Sequence, residues 1–282
     1  MSPRIVAERA QPGRAFAVST RMRKFALAAA LLFVAATASA ATLSETVDKT
    51  LDVKPGATVS LTNVNGRITI SSWDQPRVHI VATKEVGGGR EEARDAMKEL
   101  RVEIAPTNGG VTINTKYPRR DEGFSSIFDW LLGHHVDAEV TYEVTIPRTM
   151  NLDVRNVNGS IHLADVTGHL ELDTTNGKIE VKRCAGSIDA STTNGGIYAE
   201  LTRVTKGAPL RLETTNGRIE IEVPRDLAAS IEAGTTNGSI STDLPIETTH
   251  FKRNSLRGSI NGGGTPISLH TTNGPIAIKT RT

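Results

Sequence analysis

The four residues Thr-Thr-Asn-Gly occur five times in the second half of the chain, and every copy is followed by one variable residue and then Ile. The copies lie at 174–177, 192–195, 214–217, 235–238 and 271–274. Asn-Gly is the strongest short turn signal, because both residues accept a positive φ at little cost. Apolar residues alternate with polar ones after each turn, as in Ile219, Ile221 and Val223, which is typical of strands with one buried face. A repeat built of strand, turn and strand therefore predicts an all-β fold.

The spacing of the turns predicts how the strands are arranged. The shorter pattern Asn-Gly-x-Ile also starts at Asn65 and Asn158, and the turn glycines from Gly159 to Gly238 are 18, 18, 22 and 21 residues apart. A sustained period near 20 is typical of a solenoid, in which each coil buries its apolar face only against its neighbours. We therefore predict a β-solenoid, similar to a β-helix, of about 20-residue coils. Gly258, in Gly-Ser-Ile, divides the remaining gap before Gly274 into 20 and 16 residues, and is interpreted as a degenerate coil.

Coils stacked in parallel would place the turn asparagines in one row at about 4.8 Å spacing, with each side-chain amide bonding the next. The predicted structural ladder comprises Asn158, Asn176, Asn194, Asn216, Asn237 and Asn273. The competing interpretation is an antiparallel meander of Asn-Gly hairpins that closes into a barrel or propeller. The two differ in strand direction, because only a solenoid requires parallel pairing between residues about 20 positions apart.

The N-terminus has the pattern of an export signal. Arg23 and Lys24 precede an apolar run over 25–36, and an Ala-Ser-Ala cleavage sequence follows, so residues 22–40 resemble a secretory signal peptide. We expect residues 1–40 to be removed as leader and signal peptide. This predicts an exported protein of the periplasm, the cell surface or the medium.

The charge of the remaining chain bears on its partners. Residues 1–40 hold six of the 33 Lys and Arg residues but only one of the 31 Asp and Glu residues, so the mature chain carries a net charge of −3. Nucleic-acid binding requires a basic face, and we therefore predict no nucleic-acid partner.

The mature chain divides into two predicted regions. Residues 41–147 form an N-terminal β region, and residues 148–282 form the Asn-Gly repeat solenoid. Because residues 58–70 resemble residues 151–161, with Asn-Val-Asn-Gly in both, we expect the N-terminal region to contain the same unit. Apolar residues at helical spacing predict one helix over 90–100.

Two local features carry further predictions. An inserted loop over 117–137 contains Phe124, Phe128, Trp130 and Leu131 in a chain that is otherwise poor in aromatic residues. The loop either packs on the body of the protein or exposes a patch that contacts a membrane surface or a partner protein.

In the last repeat, Pro275 follows the glycine and replaces a residue with a backbone N–H. Since proline is confined to sheet edges, we predict that Pro275 lies on the terminal edge strand.

Few residues suggest chemistry. Asp173 and Asp189 fall on adjoining coils, where two carboxylates would suit glycoside cleavage at a suitable separation, but the acidic residues alternate with apolar ones as on a solvated strand face. His134 and His135 are adjacent and do not converge readily on one metal. Cys184 is the only cysteine, which excludes an intrachain disulfide. We predict no enzymatic activity, no catalytic residues, no cofactor and no metal.

Several motifs together resemble the bacterial putative-adhesin family with β-strand repeats. They are Asn-Val-Asn-Gly-x-Ile, Ser-Trp-Asp at 72–74, Val-Thr-Ile-Pro at 144–147 and the Thr-Thr-Asn-Gly series. The resemblance covers about residues 45–282. It implies an all-β, solenoid-like protein of the cell envelope, and it supplies no catalytic residues.

The leading functional hypothesis is an exported, non-enzymatic β-repeat protein that acts as a structural or adhesin-like binding module of the cell envelope. Its candidate partners are a glycan, an envelope protein or a membrane surface. One alternative is a carbohydrate-active enzyme on the same scaffold. Another is an envelope accessory protein that contacts the membrane through the loop over 117–137.

Overall fold

A computed structural model describes residues 42–108, 110–118, 137–203 and 205–281, together with the backbone of Leu32–Ala35. The predicted signal peptide lies outside this part of the chain except for that short strand, so it stays a prediction.

The described residues form 21 strands and one helix, α1 (Arg90–Glu99). The strands before the repeat region are β1 (Leu32–Ala35), β2 (Leu43–Asp52), β3 (Thr58–Thr62), β4 (Ile68–Trp73), β5 (Arg77–Gly87), β6 (Arg101–Pro106), β7 (Val111–Lys116) and β8 (Asp137–Pro147). The strands of the repeat region are β9 (Asn151–Arg155), β10 (Ile161–Ala164), β11 (Thr167–Asn176), β12 (Ile179–Asn194), β13 (Ile197–Leu201), β14 (Leu210–Asn216), β15 (Ile219–Val223), β16 (Ala229–Asn237), β17 (Ile240–Thr242), β18 (Glu247–Lys252), β19 (Ser255–Ile260), β20 (Thr265–Asn273) and β21 (Ile276–Thr280).

The strands form two long sheets whose buried apolar residues belong to one core. In spatial order, sheet A consists of β1, β2, β5, β8, β4, β10, β12, β13, β15, β21 and β17. Sheet B consists of β6, β7, β3, β9, β11, β12, β14, β20, β16, β19 and β18. Strand β12 belongs to both sheets, because its first part pairs with β10 and β13 and its second part with β11 and β14.

Each coil of the repeat consists of a strand in sheet B, an Asn-Gly corner and a strand in sheet A. Pairing between coils is parallel and in register, with Ile161 opposite Ile179 and Ile179 opposite Ile197. Burial alternates along the strands, so that the Ile, Leu and Val rows of both sheets fill the core. Parallel register at this spacing excludes the antiparallel meander, and the prediction of an all-β, solenoid-like fold is confirmed.

The N-terminal region joins the same stack. Strand β3 pairs in parallel with β9 and β4 pairs in parallel with β10, with Ile68 opposite Ile161. The prediction that residues 58–70 repeat the unit of residues 151–161 is therefore confirmed. Hydrogen-bonded pairing continues across residue 147, and the division into two regions stays a prediction.

Helix α1 occupies the predicted range and packs against β5 and β2. Its buried face consists of Ala93, Ala96 and Met97, which are three and four residues apart. The described residues contain no helix of the length and apolarity that a membrane span needs.

At the C-terminal end, the spatial order of the coils differs from the chain order. The β20–β21 coil lies between the β14–β15 coil and the β16–β17 coil. The interpretation of Gly258 as a degenerate coil is wrong, because β18 and β19 form an antiparallel hairpin and β19 pairs antiparallel with β16. Without an asparagine before Gly258, this segment cannot enter the amide row that the other corners form.

The prediction for Pro275 is also wrong. Pro275 precedes β21, which is flanked by β15 and β17 and is not an edge strand. Its carbonyl accepts a hydrogen bond from the N–H of Ile219, while Gly274 and Ile276 on either side of it supply the N–H donors to the next coil. The corner therefore makes its backbone bonds without an N–H from the position that proline occupies.

Candidate functional site

The Asn-Gly corners form a close backbone stack. The N–H of Gly177 donates to the carbonyl of Asn194, and the N–H of Ile179 donates to the carbonyl of Gly196, each over 3.0 Å. A Cβ atom built on Gly195 would lie 1.9 Å from the carbonyl oxygen of Gly177. Glycine is therefore required at this position because the neighbouring coil leaves no room for a side chain.

The first threonine of every Thr-Thr-Asn-Gly copy is buried and bonds to the adjoining coil. Its hydroxyl donates to the turn glycine carbonyl of that coil over 2.8–3.1 Å. The pairs are Thr174 with Gly159, Thr192 with Gly177, Thr214 with Gly195, Thr271 with Gly217 and Thr235 with Gly274. This explains why the repeat carries threonine at a core position, where valine would fill the same space without a donor.

The turn asparagines lie in one row along the stack. In spatial order the row is Asn65, Asn158, Asn176, Asn194, Asn216, Asn273 and Asn237. Each side-chain amide donates to the amide oxygen of its neighbour over 2.7–2.8 Å, always toward the N-terminal end of the stack. Asn65, which the predicted ladder did not include, begins the row, and its own amide donates to the carbonyl of Ala138 over 3.2 Å.

The outer face of sheet B carries an open groove, which we call the sheet B groove. One part has a volume of about 410 Å³ and continues into a second part of about 470 Å³. The lining of the two parts is polar and includes Glu171, Asp173, Asp189, Ser191, Arg211, Glu213, His270 and the exposed threonines Thr193, Thr215, Thr236 and Thr272. Because the coils are in register, these side chains recur at the spacing of the strands, about 4.8 Å.

The carboxylates of the sheet B groove are tied to their neighbours. Burial raises the pKa of the Asp189 carboxyl, Arg211 opposes this rise, and Asp173 and Glu171 add to it. Ser191 donates its hydroxyl to Asp173, and Arg211 forms an ion pair with Glu213. The structure thus brings Asp173 and Asp189 onto one face of adjoining strands, among hydrogen-bonding groups and compensating charge.

The outer face of sheet A carries a chain of hydrogen bonds that sequence reasoning missed. Ser160 Oγ lies 2.9 Å from His162 Nε2, and His162 Nδ1 lies 2.8 Å from Glu180 Oε2. Glu180 also contacts Lys182 at 2.9 Å and Lys178 at 3.3 Å, and Lys182, followed by His162 and Lys178, lowers its pKa to about 2. The 18-residue offset between coils could have revealed the pairing of His162 with Glu180.

The residue types of this chain match a nucleophile, a base and an acid. However, the Glu180 carboxylate also contacts Lys182 and Lys178, so it is not dedicated to orienting the imidazole of His162. In addition, both parts of the groove lie on sheet B, whereas Ser160, His162 and Glu180 lie on sheet A. We therefore assign these three hydrogen-bonded side chains no catalytic role.

Several predicted residues lie outside the described part of the chain. These are the contact residues Phe124, Phe128, Trp130 and Leu131 and the adjacent His134 and His135. Cys184 is described, and its free thiol is buried, which raises its pKa to about 11 and leaves it protonated at neutral pH. Among the described residues, no group of three or more His, Cys, Asp or Glu side chains is placed to hold a metal ion.

Comparison with known proteins gives one family and several structures. Residues 137–279, about half of the chain, match the family described as Toastrack DUF4097. No curated protein matches the sequence.

Three solved structures are similar to this chain at low identity. A putative cell adhesion protein from Clostridium sporogenes shares 11% identity with a TM-score of 0.48, covering 83% of this chain and 99% of its own. A putative adhesin from Bacteroides fragilis shares 11% identity with a TM-score of 0.38, covering 84% and 97%. A putative adhesin from Parabacteroides merdae shares 10% identity with a TM-score of 0.23, covering 84% and 96%.

Proposed function

The chain belongs to the Toastrack DUF4097 family, and we propose that it is an exported, non-enzymatic β-repeat protein that serves as a structural or adhesin-like binding module of the cell envelope. The observation that supports this proposal is the sheet B groove, which crosses several coils on the outer face of the stack. An open polar groove of this kind suits a ligand that lies along it, since a small molecule requires an enclosed cavity for most of its surface.

The chemistry of the groove favours a linear glycan. Threonine hydroxyls can donate and accept hydrogen bonds, and carboxylates accept hydrogen bonds from sugar hydroxyls. Arg211 and Glu213 form an ion pair, while Glu171, Asp173 and Asp189 leave the lining net acidic, so that the groove suits a neutral glycan better than an anionic polymer. Each repeat contributes a weak contact, and a polymer that spans several repeats gains affinity from their combination.

Binding to polysaccharides tests the proposal. We expect the purified protein to co-sediment with an insoluble polysaccharide, such as peptidoglycan, chitin or cellulose, and to leave the polymer intact. The double variant Thr193→Val and Thr215→Val removes two groove hydroxyls and keeps β-branched side chains, and it should reduce retention at least about tenfold. Thr69→Val, on the outer face of sheet A opposite His162, is the matched control and should bind as the wild type does. Equal retention of both variants would contradict a role for the groove.

Two further assays separate the alternative functions. Release of reducing ends that is abolished by Asp173→Asn and Asp189→Asn would identify a carbohydrate-active enzyme. Sedimentation with anionic liposomes that is lost on Phe128→Ala and Trp130→Ala would instead identify an envelope accessory protein that contacts the membrane.

A further inference from the structure

Strand β18 is the last strand of sheet B, and it pairs only with β19 among the described strands. All six of its residues, Glu247 to Lys252, are exposed. Among the described residues, Phe251 is the large hydrophobic side chain that is exposed to solvent, at 58%. An edge strand presents a row of backbone N–H and C=O groups that can pair with another strand.

The β18–β19 hairpin closes the stack at its corner. The carbonyl of Asn254 accepts the N–H of Thr235, and the carbonyl of Arg253 accepts the N–H of Ile240, both over 2.9 Å. These two carbonyls accept the hydrogen bonds that a further coil would otherwise accept, which fixes the hairpin at the end of the stack. The outer edge of β18 is therefore held in a defined position.

Along β18, the order in which side chains lie on the outer face and on the core side is the same from either end of the strand. Phe251 lies opposite the buried Leu256 and therefore on the core side of the sheet, as does Thr248, while Glu247 and Lys252 lie on the outer side. A register shift between Thr248 and His250 leaves two residues, Thr249 and His250, opposite the single residue Arg257, so a two-residue bulge occupies the centre of the strand. From Glu247 to Lys252, the six residues therefore run outer, core side, two bulge residues, core side, outer.

The charges of β18 are also self-complementary. Glu247 is the first residue of the strand and Lys252 is the last. In an antiparallel pair of identical strands centred on the bulge, the first residue of one strand lies opposite the last residue of the other. Each end would then join an acid to a base on the same outer face.

We propose that β18 pairs antiparallel with β18 of a second copy of this chain about a twofold axis. Glu247 then lies opposite Lys252 of the second copy, and Thr248 lies opposite Phe251 of the second copy, each contact occurring twice. Pairing satisfies the backbone groups of the edge, covers part of Phe251 and joins two stacks end to end through sheet B. An unrelated strand would meet this arrangement of charges only by coincidence, whereas a second copy meets it by symmetry.

Charge exchange tests the proposal by sedimentation equilibrium of the purified protein. We expect a reversible dimer for the wild type. Glu247→Lys and Lys252→Glu each place like charges opposite at both ends, and each should raise the dimer dissociation constant about tenfold or more. The double variant with both exchanges restores opposite charges, so its dissociation constant should return to within about threefold of the wild type.

The control is Glu91→Lys on the exposed side of α1, which changes the net charge by the same amount as Glu247→Lys and should leave the dimer unchanged. Circular dichroism verifies that each variant is folded. A wild type that stays monomeric throughout the concentration range overturns the proposal. So does a dimer that both single exchanges leave intact, or a double variant that associates no better than the single ones.

Discussion

Replacement of Gly195 by alanine should disrupt the corner of the stack. A Cβ atom at this position would lie 1.9 Å from the oxygen and 2.5 Å from the carbon of the Gly177 carbonyl. Ordinary contact begins near 3.4 Å, so that the two coils would have to separate by about 1.5 Å. Since both partners are backbone atoms, no side-chain rotation can relieve the overlap.

The expected magnitude follows from the bonds that such a separation breaks. Between these coils, Gly177 and Ile179 donate through the backbone, Thr192 donates to Gly177 and Asn194 donates to Asn176, over 2.8–3.0 Å. Four hydrogen bonds at about 1 kcal/mol each give a loss of about 4 kcal/mol in the free energy of unfolding. This is at the upper end of what single substitutions cost.

Gly207→Ala is the control, because Gly207 has a φ of +80° and no atom within 4 Å of an added Cβ. Its expected cost is only the strain of the left-handed conformation, about 1–2 kcal/mol. Urea denaturation followed by circular dichroism measures both variants under identical conditions. If Gly195→Ala destabilises the protein no more than Gly207→Ala does, close backbone approach is not what requires glycine at the corner.

Three further predictions concern other parts of the stack. Thr214→Val removes the buried donor to Gly195 and should cost about 1 kcal/mol by urea denaturation, whereas Thr215→Val on the exposed face should stay within about 0.5 kcal/mol of the wild type, and equal costs would contradict the role of the hydroxyl. Asn194→Ala removes two amide bonds of the row and should cost about twice as much as Asn237→Ala at its end, so that a reversed order in the same assay would refute the ladder as a source of stability. The pKa of Glu180 is lowered to about 2 in the folded protein, so the stabilisation that its carboxylate contributes to the fold is complete above about pH 5 and is lost as the pH falls. The variant Glu180→Gln should therefore lose less thermal stability than the wild type between about pH 5 and pH 3. Identical losses in the two proteins would contradict this.

The period of the Asn-Gly turns predicted the parallel stack because the identity of each corner has a physical cause. The glycine avoids overlap with the next coil, and the asparagine bonds to its counterpart, so the same residues recur wherever two coils meet. The helix was predicted for a similar reason, since Ala93, Ala96 and Met97 recur at the spacing of one helical face.

The order of the coils could not be predicted from the same pattern. Because the corners are equivalent, they can pair with one another in any spatial order, so the period of the repeat does not say which coils are neighbours. The placement of Asn273 between Asn216 and Asn237 therefore emerges only from the structure. The hairpin over 247–260 was interpreted wrongly because Gly-x-Ile was counted as a corner without its asparagine.

The candidate site was predicted only in part. The alternation of acidic and apolar residues indicated a solvated face, but its extension across several coils depends on the register of strands that are distant in the chain. The contact of His162 with Glu180 likewise requires the offset between coils to be known. The membrane-contact hypothesis for Trp130 stays a prediction.

The insertion of the β20–β21 coil has a consequence for biosynthesis. The two flanking coils are synthesised first, yet among the described strands they are joined by pairing with the coil that is synthesised last, since β14 and β16 each pair with β20. The β16–β17 coil can therefore take its native place in the stack only when the β20–β21 coil is present to pair with it. A chain that ends before β20 would keep the pairing of the hairpin with β16, but it would lack the strand that joins this closing unit to β14 and so to the rest of the rod.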